Sequence, residues 1–482
     1  MEHNGTKTSD KTVRVGLFGV GLDTYWGQFE GLKDRLLGYH ARIAERIAAF
    51  GVDIVDAGLV DNPDAARRAA DLFQERGITL VFLSVSTYAL SHTALPAVQG
   101  VGAPVIILNL QPDPAIDYET FNALGDRGRM TGEWLAYCQA CSVPEIASVF
   151  NNAGIPYDII TGWLGDEASW EEIGDWCDGA RVSAAVRETR IGILGHYYCG
   201  MLDVYTDVTR LAAVFGCHFE ILEMDELKVI RDSANATDIA EQRRHFERAF
   251  DVSPECDVFE LDRAAHTSFA LERLVEKNRL GALAYYYEGS PGSDHENIVT
   301  SVIAGNTLLT ASGVPVAGEC EVKNVLAMKI MDCFGSGGSF SELYAMDFND
   351  DVAFWGHDGP AHLAIAEGRA ALVPLPVYHG KPGKGLSIQM SVKHGPVTFL
   401  SVVQGAGGST FLLCAEGESV PGPVLHIGNT NSRYRFSIPA RDFVNRWSKA
   451  GPAHHCAIGL GHIAGRIEKL ARLLGIECRK IC

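Results

Sequence analysis

GVPVAGECEVKN, residues 313–324, places four apolar residues, Val314 to Ala317, in one unbroken run. A strand buried on one face alternates apolar and polar residues, so a continuous run predicts a strand covered on both faces, as in a parallel α/β sheet. Glu319, flanked by Gly318 and followed by a helix-like segment, then falls just past that strand's carboxyl end.

Runs of the same kind recur upstream. TVRVGLFGV (12–20), VDIVDAGLV (52–60), ITLVFLSVS (78–86) and APVIILNLQP (103–112) are strand-like. They alternate with segments of helical period such as LKDRLLGYHARIAERIAAFG (32–51) and DNPDAARRAADLFQERG (61–77), a βαβ series that implies a parallel sheet. A second series comes next, with RIGILG (190–195), LDVYTDVTRLAAVFG (202–216), FEILEMDEL (219–227) and LGALAYYYEG (280–289). Beyond about residue 350 short strands such as LSIQMSVK (386–393), VTFLSVVQ (397–404) and TFLLCAEGE (410–418) are divided by the turn signals HGP and GAGGS. The expected fold class is therefore α/β, with two doubly wound parallel-sheet domains (1–170 and 171–350, the second carrying the site carboxylates). A mainly antiparallel β domain (351–482), closed by the helix-like GHIAGRIEKLARLLG (461–475), completes it.

At 482 residues the chain exceeds what one core accommodates, and its 47% hydrophobic content is that of a globular protein. Forty-one Lys and Arg against 60 Asp and Glu leave a formal charge of -19, with no basic block, which argues against a nucleic-acid partner. The opening MEHNGTKTSDK is polar and no apolar segment approaches the ~20 residues of a membrane helix, so a cytoplasmic protein with no membrane partner is expected. Twelve cysteines without framework spacing read as reduced, mostly buried thiols. Cys138 and Cys141 have CxxC spacing but neither a second pair nor a thioredoxin-like setting, so they read as structural.

Three polar residues stand at comparable places: Glu288 after ALAYYY, Glu319 after VPVAG, and His357, with Asp358 beside it, after VAFWG. Ligands of open α/β sheets bind outside the carboxyl ends of strands, so these residues can converge. His454 and His455 in GPAHHCAIGLGH (451–462) add imidazoles. Two carboxylates with imidazoles make a mixed oxygen and nitrogen donor set suited to Mn²⁺, or to Mg²⁺ or Co²⁺, and the absence of thiolates separates it from a structural zinc site. Single residues of these types are commonly helix caps or hydrogen-bonded structural groups; the case rests on their joint placement. Tyr25, Trp26 and Gln28 after the first strand, His196 and Tyr197 after RIGILG, and Lys323 four residues past Glu319 are weaker candidates for substrate contact. GVGLDT (19–24) has the first two glycines of a dinucleotide loop but Thr24 at the third, so no nucleotide is expected even with Asp56 after the second strand.

Seven stretches carry a family resemblance: VGLFGVGLDTYWGQFEGL (15–32), SVPEIASVFNNAGIPYDIITGWLGDE (142–167), GHYYCGMLDVYTD (195–207), AGECEVKNVLAMKIM (317–331), FWGHDGP (354–360), GNTNSRYRF (428–436) and GPAHHCAIGLGHI (451–463). Together they resemble the L-arabinose/L-fucose isomerase superfamily, in its arabinose-isomerase-like branch. The resemblance implies a metal-dependent aldose–ketose isomerase acting on a free pentose or hexose, L-arabinose or a related sugar, through an enediol-type proton transfer. It implies Glu288, Glu319, His357 and His455 (in preference to His454) as metal ligands, Glu288 and Glu319 as the proton-transferring pair, and a homo-oligomer, trimer-based or hexameric. The GVGLDTYWGQ loop and the GHDGP setting depart from the better-known arabinose isomerases, which leaves the sugar open. An epimerase using the same metal site and a non-enzymatic sugar-binding protein are the alternatives.

Overall fold

The computed structural model describes residues 13–378 and 383–482; the polar opening lies outside them. The described chain divides into two compact units, one ending at Ala184 and one running from Ala185 to Cys482.

In the first unit, β1 (Arg14–Val20), β2 (Asp53–Val60), β3 (Val81–Val85), β4 (Val105–Gln111) and β5 (Tyr157–Trp163) form one parallel sheet in the order β2-β1-β3-β4-β5. The inner strands are buried almost end to end, as their unbroken apolar runs require when helices cover both faces. Local sequence sets the helix limits: Asn62 caps the helix Pro63–Arg76 by accepting from Ala65 N–H, Pro63 fills its first turn, and Gly77, at φ 60°, ends it. The chain reverses its direction of travel across the sheet between β1 and β3, so the loops after these two strands flank the switch point.

Residues 170 and 184 both lie in the helix Glu167–Glu188, and the second compact unit runs on from Ala185. There β6 (Arg190–Gly195) and β7 (His218–Leu222) are followed by the short β8 (Asp251–Val252), then by β9 (Ala282–Tyr286) and β10 (Val316–Ala317). Four of them form a second parallel sheet, β10-β9-β6-β7.

Past β10 the pairing becomes antiparallel. The remaining strands are β11 (Gly337–Asp347), β12 (Val352–His357), β13 (Ala371–Leu375), β14 (Gly385–Gln389), β15 (Gly395–Gln404), β16 (Thr410–Val420), β17 (Thr430–Phe436), β18 (His455–Leu460) and β19 (Glu477–Lys480). Six close into a barrel, β15-β18-β11-β12-β17-β16, sealed by the β15–β16 pairing, with β19 added in parallel to β16. β13 and β14 join β8 in a small separate sheet. The α/β sheets and the antiparallel barrel give the fold class expected from the sequence; the barrel's first strand lies ahead of residue 351.

The core under the helix Ala440–Ala450 is aromatic: Phe443 and Trp447 pack on Trp355, Phe399 and Phe436, and the Phe436 and Phe443 rings stack 3.5 Å apart. Each such side chain contributes about 1.5–3 kcal/mol on burial. The helix Val322–Cys333 is buried nearly all round because it lies between the parallel sheet, at β9 and β10, and the barrel, at β11, β15 and β18. Among the described residues no helix is long and apolar enough to cross a membrane.

One sequence expectation changes here. Cys138 and Cys141 are joined by a disulfide, while ten other cysteines are free, of which only Cys199 is exposed. The local chain path brings the two Cα atoms to 5.6 Å, a proximity that framework spacing does not register.

Candidate metal centre

Glu319 sits in a strand-to-helix elbow. After β10 the chain passes Gly318, then Glu319 and Cys320 at φ 56° and 57°, then Glu321 at the cap of the helix Val322–Cys333. Two consecutive non-glycine residues in the left-handed region cost about 1–2 kcal/mol each and persist only where surrounding bonds fix them. Cys320 N–H donates to Tyr285 O at 2.9 Å, Glu321 N–H to Gly318 O at 3.0 Å, and Tyr198 N–H to Glu319 O at 3.4 Å. The bend turns the Glu319 carboxylate toward the barrel.

The barrel answers with three neighbouring strands. β11 lies between β18 and β12, and Glu342 on β11 pairs in register with His455 on one side and Gly356 on the other. His455 at the start of β18 and His357 at the end of β12 thus reach the same end of the barrel. Their rings meet edge to face with centres 5.1 Å apart, and the Phe340 ring packs on both, 4.2 Å from His455 and 4.5 Å from His357.

Around Glu319 the distances are short. Its Oε2 is 3.4 Å from Nε2 of both His454 and His455, and its Oε1 is 3.9 Å from His357 Nε2. One ligand atom each from Glu319, His454 and His455 lie within 4.8 Å of one another. The outer nitrogens are already engaged: His455 Nδ1 bonds Glu321 Oε2 at 2.5 Å, and His454 Nδ1 bonds Asp203 Oδ2 at 2.6 Å. His357 Nδ1 faces Asp358 Oδ1 at 3.6 Å. A carboxylate accepting from Nδ1, as Glu321 does for His455, leaves the Nε2 lone pair directed inward, the arrangement of metal-ligating histidines.

Electrostatics separates the carboxyls. Burial raises Glu319, but His454, His455 and His357 outweigh it and hold the group down at about 2. His454 is lowered by burial and raised further by Glu319 and Asp203, to about 9. His357 falls to about 4 through burial and the neighbouring His455. Glu342 moves the other way: burial lifts it, with Glu319 and Asp358 adding to the rise against the two histidines.

The donor set fits a divalent ion. His455 Nε2 is buried without a hydrogen-bond partner, an expensive state for a polar atom that a cation beside it would relieve.

The other expected residues take various places. Glu288 is exposed on the loop after β9 and stands outside the Glu319–His454–His455 group; its charge acts on the Tyr286 phenol. Lys323 is buried, donating to Asp203 O at 2.6 Å and Thr206 Oγ1 at 3.4 Å, so it clamps the loop that carries Asp203. His196 is exposed, its ring against Tyr286 and Tyr287, and Tyr197 donates to Thr206 O. Tyr25, Trp26 and Gln28 belong to the first unit, on the loop after β1. Gln28 lines a cavity of about 460 Å³ with Phe29, Arg35 and Glu133, while Trp26 Nε1 donates to Asp61 at 2.8 Å. Glu342, Asp203 and Glu321 were not singled out from the sequence. Glu342 had a signal, since it shares a strand face with Phe340 two residues earlier and is a carboxyl where an apolar residue is expected.

No protein-family model matches the chain, and no curated protein does.

Proposed function

We propose that this protein is a metal-dependent aldose–ketose isomerase acting on a free pentose or hexose, of the kind its motifs resemble in the L-arabinose/L-fucose isomerase superfamily. The observation that carries the reading is the convergence of Glu319, His455 and His357, from elements far apart in sequence, with a carboxylate behind each imidazole.

Glu319 and His455 would hold the ion, with His357 and His454 within reach to complete its sphere. A bound divalent ion supplies positive charge for the oxygens of an open-chain sugar. The chain's own residues do the rest. Isomerisation moves a proton between C2 and C1 and another between the two oxygens, so it needs one group that accepts and one that carries a proton at the same pH. Glu319, held ionised by the imidazoles around it, and Glu342, whose carboxyl is raised by burial and whose strand position pairs with His455, are the two carboxyls we assign to these transfers. Glu342 takes the role that the sequence suggested for Glu288. Phe340 and the tyrosines around Tyr286 exclude water from the inner side.

The test is ketose formation over a panel of pentoses and hexoses by EDTA-stripped protein, with and without Mn²⁺, alongside Glu319→Gln and Glu342→Gln. The reading requires Mn²⁺-dependent ketose, abolished in the first variant and reduced about 10²–10⁴-fold in the second. Tight metal binding with no ketose from any sugar would overturn it.

A further inference from the structure

We propose that Cys138–Cys141 is a thiol–disulfide exchange site, addressed by a dithiol, whose redox state sets the order of the loop after β3. This inference stands apart from the isomerase reading.

A disulfide closing so short a loop, three positions apart, lies at the low end of the stabilisation a cross-link provides, so stapling the fold does not explain it. Its surroundings supply a different reason. The loop Ser86–Ser91 is tied to the segment holding the cysteines at four successive points. Thr87 Oγ1 donates to Leu135 O at 2.7 Å, and Gln139 Nε2 donates to Ser86 O at 2.8 Å. Ser142 Oγ accepts from Ala89 N–H at 2.7 Å and donates to Ala89 O at 3.0 Å, and Glu145 Oε1 accepts from Ser91 N–H at 2.8 Å. Gln139 lies inside the disulfide ring and is 1% exposed, so the bridge fixes the backbone from which its amide reaches Ser86. The loop held in this way flanks the switch point of the first sheet, where ligands of doubly wound folds bind.

The two sulfurs differ in access. Cys138 is 1% exposed, packed with Leu32, Leu36 and Leu135, whereas Cys141 is exposed. A reductant thiolate therefore attacks Cys141 Sγ, forming a mixed disulfide and releasing Cys138 as a thiolate that takes up a proton. The second thiol of the reductant then displaces Cys141, which is protonated in turn. The protein gains two electrons and two protons, and the dithiol leaves as its own disulfide.

The experiment uses the full chain, titrated with dithiothreitol under native conditions, with iodoacetamide labelling and amide hydrogen exchange read by peptide mass. Before reduction Cys199 should take label while Cys138 and Cys141 do not; on reduction Cys141 should label first, and protection at Ser86–Ser91 should be lost, returning on reoxidation. Labelling of Cys141 in the unreduced protein would overturn the proposal, and so would exchange at Ser86–Ser91 that ignores reduction. Cys141→Ser should show the unprotected loop at every redox state; if it fails to fold, the wild-type titration alone decides.

Discussion

His455 is held from both sides: Glu321 Oε2 bonds its Nδ1 at 2.5 Å, and Glu319, two residues earlier on the same elbow, stands 3.4 Å from its Nε2. The ring is entirely buried, and Glu321 is 1% exposed. Glu321 thereby fixes which nitrogen faces the centre.

Glu321→Gln keeps the side-chain shape but no longer demands a proton on Nδ1. Mn²⁺ affinity, measured by competition with a chromogenic chelator, should fall about 10–100-fold. Unchanged affinity would mean that the ring is oriented by Phe340 packing alone.

Phe340 packs against both the His357 and His455 rings, which also touch each other edge to face, and is fully buried. Phe340→Ala should cost about 3–5 kcal/mol in urea unfolding. Phe340→Leu should cost much less while still weakening Mn²⁺ binding, because the imidazoles gain room. Equal metal affinity in Phe340→Leu and wild type would show that Phe340 does not hold the two rings in place.

Two glycines close to each other should behave differently. A Cβ on Gly356 would lie 1.8 Å from Thr430 O, backbone that cannot yield without parting β12 from β17, so Gly356→Ala should cost about 4 kcal/mol or more and leave little folded protein. On Gly359 the nearest atom is His357 Nδ1 at 2.7 Å, a side chain that can turn. Gly359→Ala should therefore fold, with its loss appearing in metal binding; thermal melts and Mn²⁺ titrations of the two variants separate the cases.

Asp332 gives a prediction in pH. Burial raises its carboxyl, but His362 at 3.6 Å and Lys329 at 3.4 Å outweigh it, so the folded value lies below the ordinary one. A lowered carboxyl contributes stability that is fully present above the unfolded value near 3.8 and is lost as pH falls through the lower folded value. Wild type should lose more stability than Asp332→Asn as pH falls below about 4. Parallel acid limbs in urea midpoints would show that the three groups do not couple.

Much of the parallel architecture was readable because a strand buried on both faces writes itself as an apolar run, and Glu319 and His357 were found as the polar residues at the carboxyl ends of such runs. Glu342 escaped because it lies within a strand, and its importance comes from a register with His455 that no local pattern encodes. Glu288 shows the converse: its place after β9 is the right kind of place, yet the loop carries it to the surface. The helix Glu167–Glu188 hid the unit boundary, since it contains no proline to mark a break. The pairing of Glu321 with His455 needs two elements to meet, and only the folded chain brings them together.

That pairing also has a place in time. Glu321 and His455 are 134 residues apart, and at the usual rate of synthesis roughly ten seconds pass between the emergence of the first and of the second. For most of that interval the elbow has only His357 to receive its two carboxylates, and Glu321 stays without its partner until β18 arrives. The centre is thus among the last parts of the nascent protein to assemble, and a chain arrested before β18 is released without it.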